Sequence, residues 1–220
     1  MAWFVAGLVL FLGTHSLRVF AEDWRTRLVE TLGENMFKGL YSLTSLLGFV
    51  LLVYGFGLVR WDSPLLWVPP VAMRHVAALL MLVALVWLVA TYVPHNSFKA
   101  RLRHPMVLSV KVWALAHLLA NGRVVDLILF GAFLLWAVLI FRASRQRDRQ
   151  AAAVDASQAP QPTAASEAIP AAMEEIPAAE PGLPMARSHN AWVLLIGVGL
   201  WVALLFGGHA WLFGVSPLGL

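Results

Sequence analysis

Of 220 residues, 60% are hydrophobic and 13% charged, with a mean hydropathy of +0.75, which leaves too little polar surface to coat a water-soluble globule. The chain has no cysteine, which excludes disulfides, thiolate catalysis and Cys-ligated metal sites and leaves histidine as the soft-metal ligand present in quantity. The net charge of +4 does not point to nucleic acid, because the basic residues fall in short clusters at the ends of apolar runs, where they encode membrane topology.

In chain order, apolar runs at 2–20, 39–58, 71–92, 105–120, 124–141 and 191–213 each approach the ~20 residues that cross a hydrocarbon core. The first run holds His15 and Arg18 and lacks a basic start and a small-x-small cleavage site, so it reads as a mature span and not a signal peptide. Between the first two, Trp24, Leu28 and Leu32 recur every four residues among charged neighbours, which predicts a short interfacial helix within 22–37. Tyr41, Ser45, Gly48, Leu52 and Gly55 form a stripe of mostly small and hydroxyl residues suited to close helix packing. Before the fourth run, His104-Pro105 reads as a helix start at the interface. Asn121-Gly122 stops that helix and Asp126 falls in the first turn of the next, which predicts a tight antiparallel pair. Residues 143–188 are rich in Ala, Pro, Gln, Ser and Glu without an aromatic residue, which predicts a disordered linker. The fold class is therefore all-α: a polytopic transmembrane helical bundle of about six spans, with five in residues 1–142, the linker at 143–188 and the last span in 189–220.

Twelve Lys and Arg residues, among them Arg18, Lys38, Lys99, Arg103, Arg142 and Arg147, lie on one side of these spans, and only Arg60, Arg74 and Arg123 on the other. The positive-inside rule then places the basic loops and the linker in the cytoplasm of a bacterial cell and both termini in the periplasm. Lys111, inside the fourth span, is expected to reach back towards the cytoplasmic side.

Polar groups within spans are costly, so each is satisfied by a neighbouring helix or retained for function. His15 and Arg18 share one face of the first span; His117 lies well inside the fourth, with Trp113, the small Ala114 and Asn121 on its face; His209 follows Gly207-Gly208 in the last. His75 and His95 lie near span ends, where solvation accounts for them. Two intramembrane histidines on different helices among small and aromatic residues form a candidate bis-histidyl haem site, whereas no carboxylate or thiolate joins them to make a zinc site. Counting depth at 1.5 Å per residue puts His15 ~20 Å from the outer start of its span and His117 ~6 Å from the outer end of its own, which favours His117 with His209.

The ordered set Thr14-His15-Ser16-Leu17-Arg18, Gly39-Leu40-Tyr41-Ser42-Leu43, Arg103-His104-Pro105, Trp113 to Gly122 and Asp126 to Gly131, with a C-terminal segment from Gly207 to Pro217, closely resembles the bacterial NnrU family. The resemblance implies a multi-span protein of the bacterial inner membrane, associated with nitrite and nitric oxide reduction in denitrification. That family is similar to plant zeta-carotene isomerase, which uses haem b to isomerise a cis double bond and carries histidines in His-Ser…Leu-Arg and Trp-Cys-x-x-His motifs. By that resemblance the haem ligands are His15 and His117, and Ala114 stands where the isomerase has cysteine; depth counting keeps His209 as the alternative partner, and Arg18, Trp113 and Asn121, on the same helix faces as these histidines, are assigned to the same site. The expected partners are the lipid bilayer and nitrogen-oxide reductase or maturation proteins. The competing expectation is a non-enzymatic assembly factor that docks through the stripe on the second span; a transporter would require an inverted repeat, and none is evident.

Overall fold

Every long apolar run forms a helix in the computed structural model, which describes residues 1–158 and 185–218, with residues 185–188 as backbone. The helices are α1 (Ala2–Phe20), α2 (Glu22–Leu32), α3 (Glu34–Val59), α4 (Val71–Tyr92), α5 (Ser97–Leu102), α6 (Pro105–Ala120), α7 (Val124–Gln158), α8 (Met185–Ala203) and, after a π-helical turn at Leu204–Gly208, α9 (His209–Phe213). Among the described residues five helices are long and apolar enough to span a membrane, and the 16-residue α6 is a shorter apolar one. The protein is a polytopic helical bundle.

Two seams hold it together. Along α1 and α3 the backbones meet at glycines: a Cβ on Gly7 or Gly55 would overlap the backbone of Leu52 or of Phe4, and one on Gly48 would crowd Phe11. Phe4, Leu8 and Leu52 are buried there with Val125, Leu129 and Phe130 of α7. The stripe on α3 therefore packs against α1 through Gly48, Leu52 and Gly55, as close-packing transmembrane helices do. The face that an assembly factor would use is occupied within the chain.

The second seam joins α4, α6 and α8. Ser109 Oγ donates to the Ala84 carbonyl at 2.8 Å, and Trp201 Nε1 donates to the Ala78 carbonyl at 2.7 Å. In the bilayer each such bond removes a polar group that lipid cannot satisfy. At the end where α4 stops, Asn96 is 3% exposed and caps α5: its Oδ1 accepts from the Lys99 amide at 2.8 Å, while Nδ2 donates to the carbonyls of Ala90 and Val93. Asn190 of α8 then joins Ser97 through two hydrogen bonds, 2.8 and 2.7 Å. Replacing Asn96 by Ala leaves three backbone groups without their partner, and an expected loss of roughly 2–3 kcal/mol is to be read from a thermal melt of the detergent-solubilised protein.

The two ends of the bundle are distinct. Arg18, Lys99, Arg103 and Arg147 gather at the end where Arg147 Nη1 donates to the Arg18 carbonyl and His104 Nε2 pairs with Asp148 Oδ2 at 2.9 Å. At the other end lie Met1, the 60–70 loop, the α6–α7 turn and the residues after α9, tied by Leu66 N to Gly122 O and by Arg60 Nη1 to Phe213 O. Lys111 reaches towards the basic end, its ammonium 4.7 Å from the Phe141 ring centroid.

Three boundaries differ from expectation. The interfacial helix, expected within 22–37, closes at Leu32, where Gly33 turns with φ 80°, and α3 starts at Glu34, ahead of the span expected from 39. Residues 143–158, expected within the disordered linker, continue α7, because Ala, Arg and Gln are strong helix formers and the first proline comes only at Pro160. The 35-residue α7 is ~52 Å long, more than the ~30 Å hydrocarbon core, so its end stands clear of the span and meets Arg18 and His104. At the far side of the linker α8 begins at Met185; the expected linker between 159 and 184 lies outside the described residues.

Candidate functional site

α6 enters its last turn at His117 and stops at Asn121, whose Nδ2 donates to the His117 carbonyl at 2.8 Å. The His117 ring lies against Phe130 of α7, with centroids 4.5 Å apart, and against Trp113, one turn back, at 5.1 Å. Its Nδ1 is 2.8 Å from the Trp113 carbonyl. A carbonyl only accepts, so Nδ1 carries the proton and Nε2 presents a lone pair.

His209 reaches the same place by a different route. The π-helical turn contains Phe206 in a non-helical conformation and Gly207 at φ 150°, a backbone angle open to glycine. That break lets α9 start afresh with His209, and the chain then turns back at Gly214, φ 69°. The returning Val215 carbonyl accepts from His209 Nδ1 at 2.7 Å, which again leaves Nε2 as the lone-pair nitrogen. The two imidazoles stand 6.4 Å apart between centroids with an interplanar angle of 29°.

Both rings line one cavity of about 560 Å³ between α4, α6, α8 and the 60–70 loop. Its walls are apolar along α4, at Ala77, Met81 and Leu85, and at Leu204 of the π-helical turn, and its outer end carries Arg60, Arg74 and Arg123 with Asp126. Arg123 is held by the carbonyls of Trp61 and Ser63, at 3.2 and 2.8 Å, and Val125 N donates to Ser63 Oγ at 3.0 Å; this clasp docks the loop on the α6–α7 turn. Gly122 permits it, since a Cβ there would run into the Trp67 carbonyl.

Over residues 3–217 the chain matches the family model described as NnrU protein. The chain belongs to the NnrU family. No curated protein and no solved structure matches it.

The resemblance of the NnrU motifs thus covers nearly the whole chain, but its residues do not all meet. His117, Asn121 and His209 line the cavity, and Trp113 packs behind His117 and against Phe130 and Phe133. His15 lies elsewhere in this NnrU-family bundle, among Phe11, Tyr41 and Trp136, at 4.3, 5.7 and 6.4 Å between centroids, with Nδ1 2.8 Å from the Phe11 carbonyl. Phe133 touches both Phe11 and Trp113 and so stands between the two histidine sites. Arg18 is at the basic end and borders a second, smaller cleft of about 400 Å³ with Glu22 and Arg147. The structure brings His117 to His209, the pair that depth counting favours, and not to His15.

By sequence, Arg60, Arg74 and Arg123 carry topology alone. Yet these are the three basic residues on the sparse side of the spans, and all three line this cavity. Exceptions to charge asymmetry are the signal that could have found them.

Proposed function

We propose that this NnrU-family chain is a haem-b-binding protein of the bacterial inner membrane, with His117 and His209 as axial ligands, serving nitrogen-oxide reduction through a haem-dependent redox or isomerisation reaction. The observation that carries the reading is the pair of imidazoles facing one cavity, each with its proton tied to a carbonyl on Nδ1 and its Nε2 lone pair unengaged among the described residues. This second hydrogen bond is what fixes tautomer and ring orientation in histidine ligands generally.

The residues fit the group. Two nitrogen donors on separate helices match the axial positions of haem iron, and about 560 Å³ of partly apolar space is within the range of small-molecule and cofactor sites. Among the described residues no three His, Cys, Asp or Glu side chains converge, so these residues offer axial ligands to a cofactor with its own donors better than a complete cage for a bare ion. Haem b held there would supply one-electron or Lewis-acid chemistry at its iron. The chain contributes the two imidazoles, the aromatic backing of His117 by Phe130, the apolar walls, and a C-terminal segment that covers the site and orients His209.

The positive-inside rule applied to the two ends gives the orientation: basic end cytoplasmic, termini and cavity mouth periplasmic. Small substrates or electron donors would then approach from the periplasmic side. The test is the haem content of the full-length protein, expressed with ample haem and purified in detergent. One haem b per chain by the alkaline pyridine assay is expected; a colourless, folded protein overturns the reading.

A further inference from the structure

The charges around the cavity do not balance. Its lining holds three guanidinium groups and a single carboxylate, that of Asp126, an excess of two positive charges. Two of the three arginines have tasks in the fold. Arg123 clasps the Trp61 and Ser63 carbonyls; Arg60 donates to the Phe213 carbonyl at 3.1 Å and lies over the Trp61 ring at 4.8 Å. Arg74 has no hydrogen bond, ion pair or ring contact among the described residues, although it is only partly exposed. It also stands in the first turn of α4, where the positive end of the helix dipole opposes a cation. A cation so placed, at the edge of a membrane bundle and without a partner, is costly to the fold and marks a functional contact.

The rest of α4 says what kind of ligand would meet it. Ala77, Ala78, Met81 and Leu85 lie below Arg74 at helical spacing and line the same cavity. One face of α4 therefore passes from a charged outer end to an apolar interior. We propose that Arg74 binds a carboxylate on an amphipathic ligand whose apolar body fills the cavity beside His117 and His209. This rests on the haem reading for one of two sources of that carboxylate: the acid side chains of haem itself, or a separate lipid-like acid sharing the cavity. Arginine suits either, since its planar fork takes a carboxylate through two parallel hydrogen bonds.

The test uses the full-length protein in detergent and two pairs of probes, haem b against its dimethyl ester and cis-parinaric acid against its methyl ester. The wild type should bind the free acid of at least one pair roughly ten- to hundredfold more tightly than the ester. Arg74→Gln should bring that ratio to about one, and Arg74→Lys, which keeps the charge and loses the fork, should leave it in between. Discrimination within the haem pair assigns the carboxylate to haem. Discrimination within the fatty-acid pair alone assigns it to a separate ligand. If neither haem form binds, the haem reading fails, and the fatty-acid pair still decides the role of Arg74. Equal binding of acid and ester in both pairs, no binding of any probe, or a ratio that survives Arg74→Gln overturns the proposal. Matched melting temperatures of wild type and variants show that the ratios compare folded proteins.

Discussion

His117→Ala should abolish stable haem binding, while His15→Ala should leave it within a few-fold of wild type. The contrast follows from where the two rings lie. His117 lines the cavity and faces His209, whereas His15 is enclosed by Phe11, Tyr41 and Trp136, with Phe133 on the way to Trp113. Loss of a group that only orients a metal ligand commonly costs 10–100-fold in affinity, so loss of a ligand itself should exceed roughly a hundredfold. The assay is haem titration followed by the Soret band on protein whose elution profile matches wild type. If His15→Ala empties the protein and His117→Ala does not, the site belongs to the α1, α3 and α7 face instead.

Gly7→Leu should prevent the bundle from assembling. Gly7 meets the backbone of Leu51 and Leu52, so any Cβ must push two helix backbones apart, and no side-chain rotation relieves it. Overpacking of flexible side chains typically costs 1–3 kcal/mol; against backbone the expected cost is about 3 kcal/mol or more, and is compounded because Phe4 and Leu8 lose their packing on α7 as α1 moves. Gly13 provides the control. It is on the same helix with open space where its Cβ would be, so Gly13→Leu should fold normally. Yield of monodisperse protein and melting temperature in detergent distinguish the two, and equal behaviour would mean that the α1–α3 seam is looser than described.

Much of this architecture was legible in the residues because the bilayer reads length and polarity directly. The apolar runs at 2–20, 71–92 and 105–120 coincide with α1, α4 and α6, and Pro105 and Asn121-Gly122 punctuate the last of them. The end of α7 is not legible, because a composition rich in Ala, Pro, Gln, Ser and Glu predicts too little buried apolar surface for order, whereas residues 143–158 need only helix propensity and the pairings of Arg147 and Asp148 to stay helical. For the site, depth counting already brings His117 and His209 to one level, but that their rings face each other depends on tertiary geometry. His209 is turned to His117 by the break at Gly207 and the return of Val215, neither of which has a period that a linear reading can follow. The arginines are hidden for another reason: near the ends of spans a basic residue is ordinarily a topology marker, and although Arg74 lies on the sparse side, opposite Arg101 and Arg145, only the cavity gives it a place in the site.

The central claim, that His117 and His209 together form the haem site, is tested most directly by electron paramagnetic resonance of the oxidised, haem-loaded protein. The account predicts a low-spin, bis-imidazole signal in the wild type that becomes high-spin in His209→Ala and is unchanged in His15→Ala. A low-spin signal that survives His209→Ala and disappears in His15→Ala would contradict it.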